Sequence, residues 1–297
     1  MSDSKVDLVC FGELLWDNLP SGKVAGGAPF NIVNRATALG LKAEVITSVG
    51  TDPLGTELTE LVASKGNSTK YIQQHPSLQT SVVNIEVGDN GEPHYDIVYP
   101  VAWDDVRIDE SVLSLVKSAS AFVYSSLGLR DERSREALFQ LLNTAQLKIC
   151  DINLRDGHFT KETILRMIEK ADILRANESE LTMISAWLGL DQLSRKEQMQ
   201  SLTERYNYNM VITTLGGEGA VCFKDDHWYM QPVFKVEVKD TVGAGDAFLA
   251  SFIYKYLLEE PINQCMKFAC AVGSLTASKD GGTPSITPSE IEAMING

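Results

Sequence analysis

The chain is poor in the residues that announce a zinc centre, a disulfide scaffold, a nucleic-acid surface or a membrane span. It holds four histidines, His75, His94, His158 and His227, with no H-x-x-H or H-x-x-x-H spacing. A zinc site is therefore not expected, and each histidine reads as a surface or loop residue. The five cysteines, Cys10, Cys150, Cys222, Cys265 and Cys270, include no C-x-x-C pair. The first three lie in apolar, strand-like runs, so buried free thiols are expected. Lys and Arg number 26 against 40 Asp and Glu, a formal net charge of −14, which argues against nucleic acid or an anionic membrane as partner. An anionic ligand would need donors gathered locally. No apolar run approaches a membrane span, and the start, Met1-Ser2-Asp3-Ser4-Lys5, is polar rather than a secretion signal, so a cytoplasmic protein is expected. Repeats of solenoid length, low-complexity tracts and linkers are missing too. With 44% hydrophobic content in 297 residues, one main domain over 1–297 is expected.

What is present is an alternation of short apolar runs and amphipathic helices. Val6 to Phe11 reads as a buried strand ended by Gly12, and Phe30 to Leu39 as a helix stopped by Gly40. A strand from Ala43 to Val49 and a helix opened by Asp52-Pro53 and closed at Gly66 repeat the scheme. After Asp109 the alternation resumes, with strands at 121–124, 147–151, 172–176 and 210–214 and helices between them. The pattern predicts an α/β fold with a doubly wound, mostly parallel sheet. Residues 80–104 interrupt it: Ser81 to Val87 and His94 to Tyr99 flank the turn Gly88-Asp89-Asn90-Gly91, an antiparallel hairpin. With Leu14 to Leu19 as a third strand, it would make a small β lid over 12–25 and 80–104, or else a static edge hairpin.

Ligands of such sheets bind beyond the carboxyl ends of the strands, and the polar residues collect there. In Asp240-Thr241-Val242-Gly243-Ala244-Gly245-Asp246, the small residues Gly243, Ala244 and Gly245 let successive N–H groups turn toward one point, at a probable helix start. An anion is the natural occupant. Asp246 either caps that helix or serves as a general base. Arg155, two residues beyond Asn153, offers a planar fork for phosphate oxygens or a surface ion pair. Asn177 and Glu180 form either a capping box or part of a site. Thr214, Gly216 and Gly219 outline a glycine-rich turn, and Gly281-Gly282-Thr283-Pro284-Ser285 is either a loop or a site wall.

In this order, the D-T-x-G-A-G-D stretch at 240–246 and the G-G-A-x-x-N stretch at Gly26-Gly27-Ala28-Pro29-Phe30-Asn31 resemble the ribokinase-like (PfkB) carbohydrate kinases over nearly the whole chain. The resemblance implies phosphoryl transfer from ATP, carried with Mg2+, to a sugar hydroxyl. Asp246 would be the base, Gly243 to Gly245 the anion hole, and Arg155 a partner of the moving phosphate. Asp17, Gly27, Asn31 and Asn153 would hold the sugar. Asn177, Thr214, Gly216 and Gly219 would face ATP, with Glu180 reaching Mg2+ through water. Asp240, Val242, Gly281 and Ser285 fall at the positions of a monovalent cation, K+ in particular, although Lys279-Asp280-Gly281-Gly282 departs from the usual loop. The motifs around Asp17, Asn31 and Arg155 are similar to fructokinases, and their acidic character disfavours a phosphorylated sugar. Ribose, 2-keto-3-deoxygluconate and nucleosides stay open as substrates, with Trp16, Phe30 and Trp103 as candidates to sandwich a base. A non-catalytic sugar-binding regulator is the reading from another class. The lid's free edges offer a route to a homodimer.

Overall fold

The strand Leu8–Phe11 is buried on both sides: Val9 and Phe11 join one apolar cluster, Leu8 and Cys10 a second. A period of two along a strand covered on both faces requires this. The computed structural model describes residues 5–19, 22–87 and 93–297; the turn expected at Gly88 to Gly91 lies outside them, as do the side chains of residues 19, 85–87 and 93–95.

The chain runs β1 (Leu8–Phe11), β2 (Leu15–Leu19), β3 (Gly22–Gly26), α1 (Ala28–Ala38), β4 (Ala43–Gly50), α2 (Pro53–Ser64) and β5 (Ile72–His75). Next come β6 (Ser81–Val87), β7 (Pro93–Ile97), α3 (Glu110–Ser118), β8 (Ala121–Ser125), α4 (Glu132–Leu142), β9 (Lys148–Asp151), α5 (Lys161–Ile168) and β10 (Ile173–Asn177). The last part holds α6 (Glu178–Trp187), α7 (Arg195–Tyr206), β11 (Met210–Thr214), β12 (Ala220–Lys224), β13 (His227–Gln231), α8 (Ala244–Leu257), α9 (Ile262–Ala277) and α10 (Pro288–Asn296).

Nine strands form one sheet in the order β13-β12-β11-β10-β9-β8-β1-β4-β5, parallel except at β12 and β13. Helices α3 to α7 pack on the face that holds Phe11 and Tyr124, and α1, α8 and α9 on the face that holds Leu8 and Cys10. The doubly wound sheet is thus as expected, with β5 as an unforeseen parallel edge. The chain leaves β1 toward β4 and returns on its other side at β8, so the switch point lies at the carboxyl end of β1.

A second sheet, β3-β2-β6-β7, contains the expected hairpin β6–β7 and the expected third strand β2, which pairs with β6 in parallel. The sequence reading missed β3. Leu15, Val83 and Ile97 pack one face of this sheet on Val101, Trp103 and Leu127 of the body. Its exit is clamped by Arg130, which donates to the carbonyls of Val98 (2.8 Å) and Ile97 (3.4 Å), pairs with Asp104 (2.7 Å) and lies on the Trp103 ring.

All five cysteines are buried and free. His75 corrects the expectation of a surface histidine: it is 6% exposed, its Nδ1 accepts from the Leu78 N–H (2.8 Å), and its Nε2 meets Asp105 (3.0 Å). A buried imidazole needs both nitrogens satisfied, and a turn plus a carboxylate do so here.

Candidate active site

Helix α8 begins at Ala244, two residues before the expected start, with Gly243 as its N-cap in the left-handed conformation (φ 72°) and no side-chain cap. Asp246 therefore sits inside the first turn and does not cap the helix. Its carboxylate instead accepts from Asn31 Nδ2 at 2.8 Å. Among the described residues nothing accepts from the N–H groups of Gly243 and Gly245, which stay open to an anion with the helix dipole behind them, whereas the Ala244 N–H donates to the Thr241 carbonyl at 3.2 Å. A methyl on Gly243 would lie 2.3 Å from the carbonyl oxygen of Gly282, so that position admits only glycine. Removal from water, together with Asp151 nearby, raises the Asp246 carboxyl to about 6, opposed by the Asn31 hydrogen bond, Arg175 and Arg155. A base with a raised affinity for protons and a fixed donor is suited to accept one from a hydroxyl.

Of the residues expected on the sugar side, Asp17, Gly27 and Asn31 come from the first third of the chain and Asn153 from the loop after β9. Asn31 is buried in α1, and with Nδ2 on Asp246 its Oδ1 has no partner among the described residues; a buried amide oxygen in that state calls for a donor such as a ligand hydroxyl. Gly27 (φ 106°) leaves no room for a side chain over the Glu13 carbonyl, 2.4 Å from where a methyl would stand. Asp17 on β2 is half-buried, and desolvation lifts its carboxyl to about 6 against the pull of Arg155. Arg155 is exposed, and its charge bears on Glu13, Asp17 and Asp246 together. Asn153 adopts φ 43°, a conformation asparagine tolerates, while its carbonyl accepts from Ser126 Oγ at 2.8 Å.

On the other side, the capping box between Asn177 and Glu180 does form, with Asn177 Oδ1 accepting at 2.9 Å and Glu180 Oε2 accepting at 2.8 Å. Glu180 also accepts the Leu154 N–H through Oε1 (2.9 Å), so the cap ties the loop that carries Arg155 to β10. Thr214 ends β11. Gly216 (φ 54°) faces open space, and Gly219 (φ 111°) would place a methyl 2.0 Å from the Gln231 carbonyl oxygen. Trp16, Phe30 and Trp103 are 3%, 0% and 1% exposed and belong to the core, so none is free to stack on a base.

In the expected cation loop, Asp240 accepts from the N–H groups of Val242 (2.9 Å) and Gly281 (3.1 Å), joining the two segments. The Ser285 carbonyl, by contrast, already accepts from Lys279 Nζ at 2.6 Å, and the neighbouring Pro284 carbonyl from Arg35 Nη2 at 2.7 Å. Part of the expected donor set is thus held by the chain's own cations.

Two residues that sequence reasoning passed over belong to the site. Glu13, 2% exposed, accepts from the Ala28 N–H at the start of α1 (3.0 Å), and burial raises it to about 7. Arg175, read from sequence as strand interior, lies 7% exposed between Asp151 (2.8 Å) and Thr214 Oγ1 (3.0 Å). An arginine inside a run otherwise fit for burial is the signal that was there to find.

Residues 8–289 match the pfkB family carbohydrate kinase. A probable fructokinase-2 of Arabidopsis thaliana is 28% identical, over 98% of this chain and 96% of its own length. In structure, a fructokinase of Xylella fastidiosa with bound ATP superposes at a TM-score of 0.87 with 22% identity, covering 98% of both chains. A 2-dehydro-3-deoxygluconokinase of Thermotoga maritima reaches 0.84 with 21% identity, over 98% of this chain and 100% of that one. The fold is common to kinases of different sugars.

Proposed function

Because the chain belongs to the pfkB family of carbohydrate kinases, we propose that it transfers the γ-phosphoryl of ATP to a hydroxyl of fructose. The observation that carries this reading is the uncapped start of α8 beside a carboxylate held by Asn31. The hydroxyl's proton passes to Asp246 as its oxygen attacks the γ-phosphorus and the bond from that phosphorus to the bridging oxygen breaks, ADP leaving with the electron pair. The N–H groups around Gly243 to Gly245 and the charge of Arg155 stabilise the transferring oxygens. Asp17, Asn31 and the backbone at Gly27 and Asn153 orient the sugar, the unpartnered Asn31 Oδ1 accepting from one of its hydroxyls.

Thr214, Gly216, Gly219 and Asn177 line the nucleotide side. Hard oxygen donors would suit Mg2+: the Glu180 carboxylate would reach it through water, and the nearby Asp151 Oδ2 is buried with no partner among the described residues. When bound with ATP, Mg2+ neutralises phosphate charge. For K+, Asp240 and the carbonyls of Val242 and Gly281 are the better donors, since Ser285 is engaged by Lys279.

Fructose is favoured by the names of the relatives and by the acidic sugar side, which disfavours a sugar phosphate. A nucleoside is disfavoured by the burial of all three candidate stacking aromatics. The free edges of the lid sheet, with exposed Val98 and Tyr99 beside it, suit a homodimer. An ATP donor and five free thiols fit the cytoplasm. ATP consumption measured over fructose, ribose, 2-keto-3-deoxygluconate and adenosine tests the substrate; a ribose preference would refute fructose, and no turnover with any of them would favour the binding-only regulator.

A further inference from the structure

Three carboxylates, Asp151, Glu180 and Asp246, crowd the carboxyl edge of the sheet and act electrostatically on one buried guanidinium, Arg175. Its geometry is fixed from several sides. Nη1 donates to Asp151 Oδ1 at 2.8 Å, Nη2 donates to Thr214 Oγ1 at 3.0 Å, and a methyl on Gly245 would stand 2.7 Å from Nη2. The cation thus lies against the Gly245 backbone, and its hydrogen-bond partners Asp151 and Thr214 belong to the neighbouring strands β9 and β11. Asp151 is fully buried, with its second oxygen unpartnered. Ion pairs so enclosed seldom add net stability, which raises the question of what else this one does.

We propose that Arg175 is a positioning residue of the transfer, a fixed cation against Gly245 that offsets Asp151 while negative charge gathers at the anion hole. This rests on the reading of Asp246 as the base. The charged or titratable groups around Asp246 are Asp151 from β9, Arg175 from β10, Arg155 from the loop after β9, and Glu13 and Cys10 from the end of β1. Asn31 from α1 adds its hydrogen bond. Among them Arg175 is the one cation that is buried and hydrogen-bonded on two strands. No contact with substrate is needed: charge behind the backbone acts through a short path of low dielectric.

The two partners of this ion pair should shift catalysis in opposite directions, which a purely structural clasp would not do. In Arg175→Gln the acid limb of kcat/KM for the sugar should move up by roughly 1 pH unit, because the ionised base loses a cation. In Asp151→Asn it should move down by a similar amount, because the base loses a like charge. Arg175→Lys should leave the limb near its wild-type position with a reduced kcat. Each limb is read only on protein whose cooperative thermal unfolding is retained. If the Gln variant does not fold, Asp151→Asn decides: a downward shift supports the proposal, and an upward or absent one overturns it. Limbs that stay put in both folded variants, or that move together, also overturn it. Asp246→Asn, assayed alongside, keeps the two readings apart, since near-normal turnover there would remove the base itself.

Discussion

Replacing Gly243 by alanine should separate the backbone part of the site from its side chains. The residue adopts φ 72°, and a Cβ there would stand 2.3 Å from the carbonyl oxygen of Gly282 and 2.6 Å from its Cα. The left-handed conformation costs a non-glycine residue about 1–2 kcal/mol. To reach ordinary van der Waals separation, the Gly282 backbone must also retreat by roughly 1 Å. That loop packs on the start of α8, so its retreat turns the N–H groups at 243–245 away from the transferring phosphoryl. A misplacement of about 1 Å, or the loss of one such donor, lowers turnover on the order of 100-fold. The expected outcome is a kcat about 100-fold lower with the sugar KM within roughly 3-fold, measured by coupled ADP release. Gly189→Ala is the control: its φ of 74° is equally left-handed, yet a methyl there meets nothing within 4 Å. It should lower the melting temperature by a few degrees and leave kcat intact. A Gly243→Ala enzyme with wild-type kcat would refute the anion-hole reasoning.

Glu13 is raised to about 7 and Asp17 and Asp246 to about 6, each chiefly by burial. A carboxyl raised in the folded state holds a proton that the unfolded chain has released, so stability of the ligand-free protein should fall as pH rises from about 4 to 7. Thermal scans across that range check this, and Glu13→Gln should flatten the slope; an unchanged slope would contradict it. Arg130→Ala leaves Asp104, 0% exposed, without its ion partner; a loss of about 3–5 kcal/mol in urea unfolding is expected, and less than ~1 kcal/mol would mean that water replaces the guanidinium. Sugar should protect the amides of 81–87 and 94–97 from hydrogen exchange more than ATP does, if the small sheet closes over it. Equal exchange with sugar binding confirmed by calorimetry would mark it as a static edge.

Local signals in the chain determined the succession of strands and helices, since strand burial on two faces and helix stops at glycine are written in residue order. Asp52 capping α2 through the Gly55 N–H, and Asn177 with Glu180 opening α6, follow from neighbours three residues apart. So does the glycine pattern at the start of α8, because a backbone anion site is a local structure. What the chain left ambiguous was the use of each polar group. Asp246 is free of capping because α8 starts at Ala244 and Asn31, far away in sequence, reaches its carboxylate. The strands β3 and β5 are short edge strands whose pairing depends on a partner rather than on their own composition. His75 and Glu13 look unremarkable in order, Arg175 stands out only as a charge inside an apolar run, and the burial of all three is a property of the packed sheet. Only the tertiary structure brings Asp151, Arg175 and Thr214 side by side from three strands. The charge balance behind the anion hole is set there because electrostatic energy depends on distance and burial, neither of which is local in the sequence.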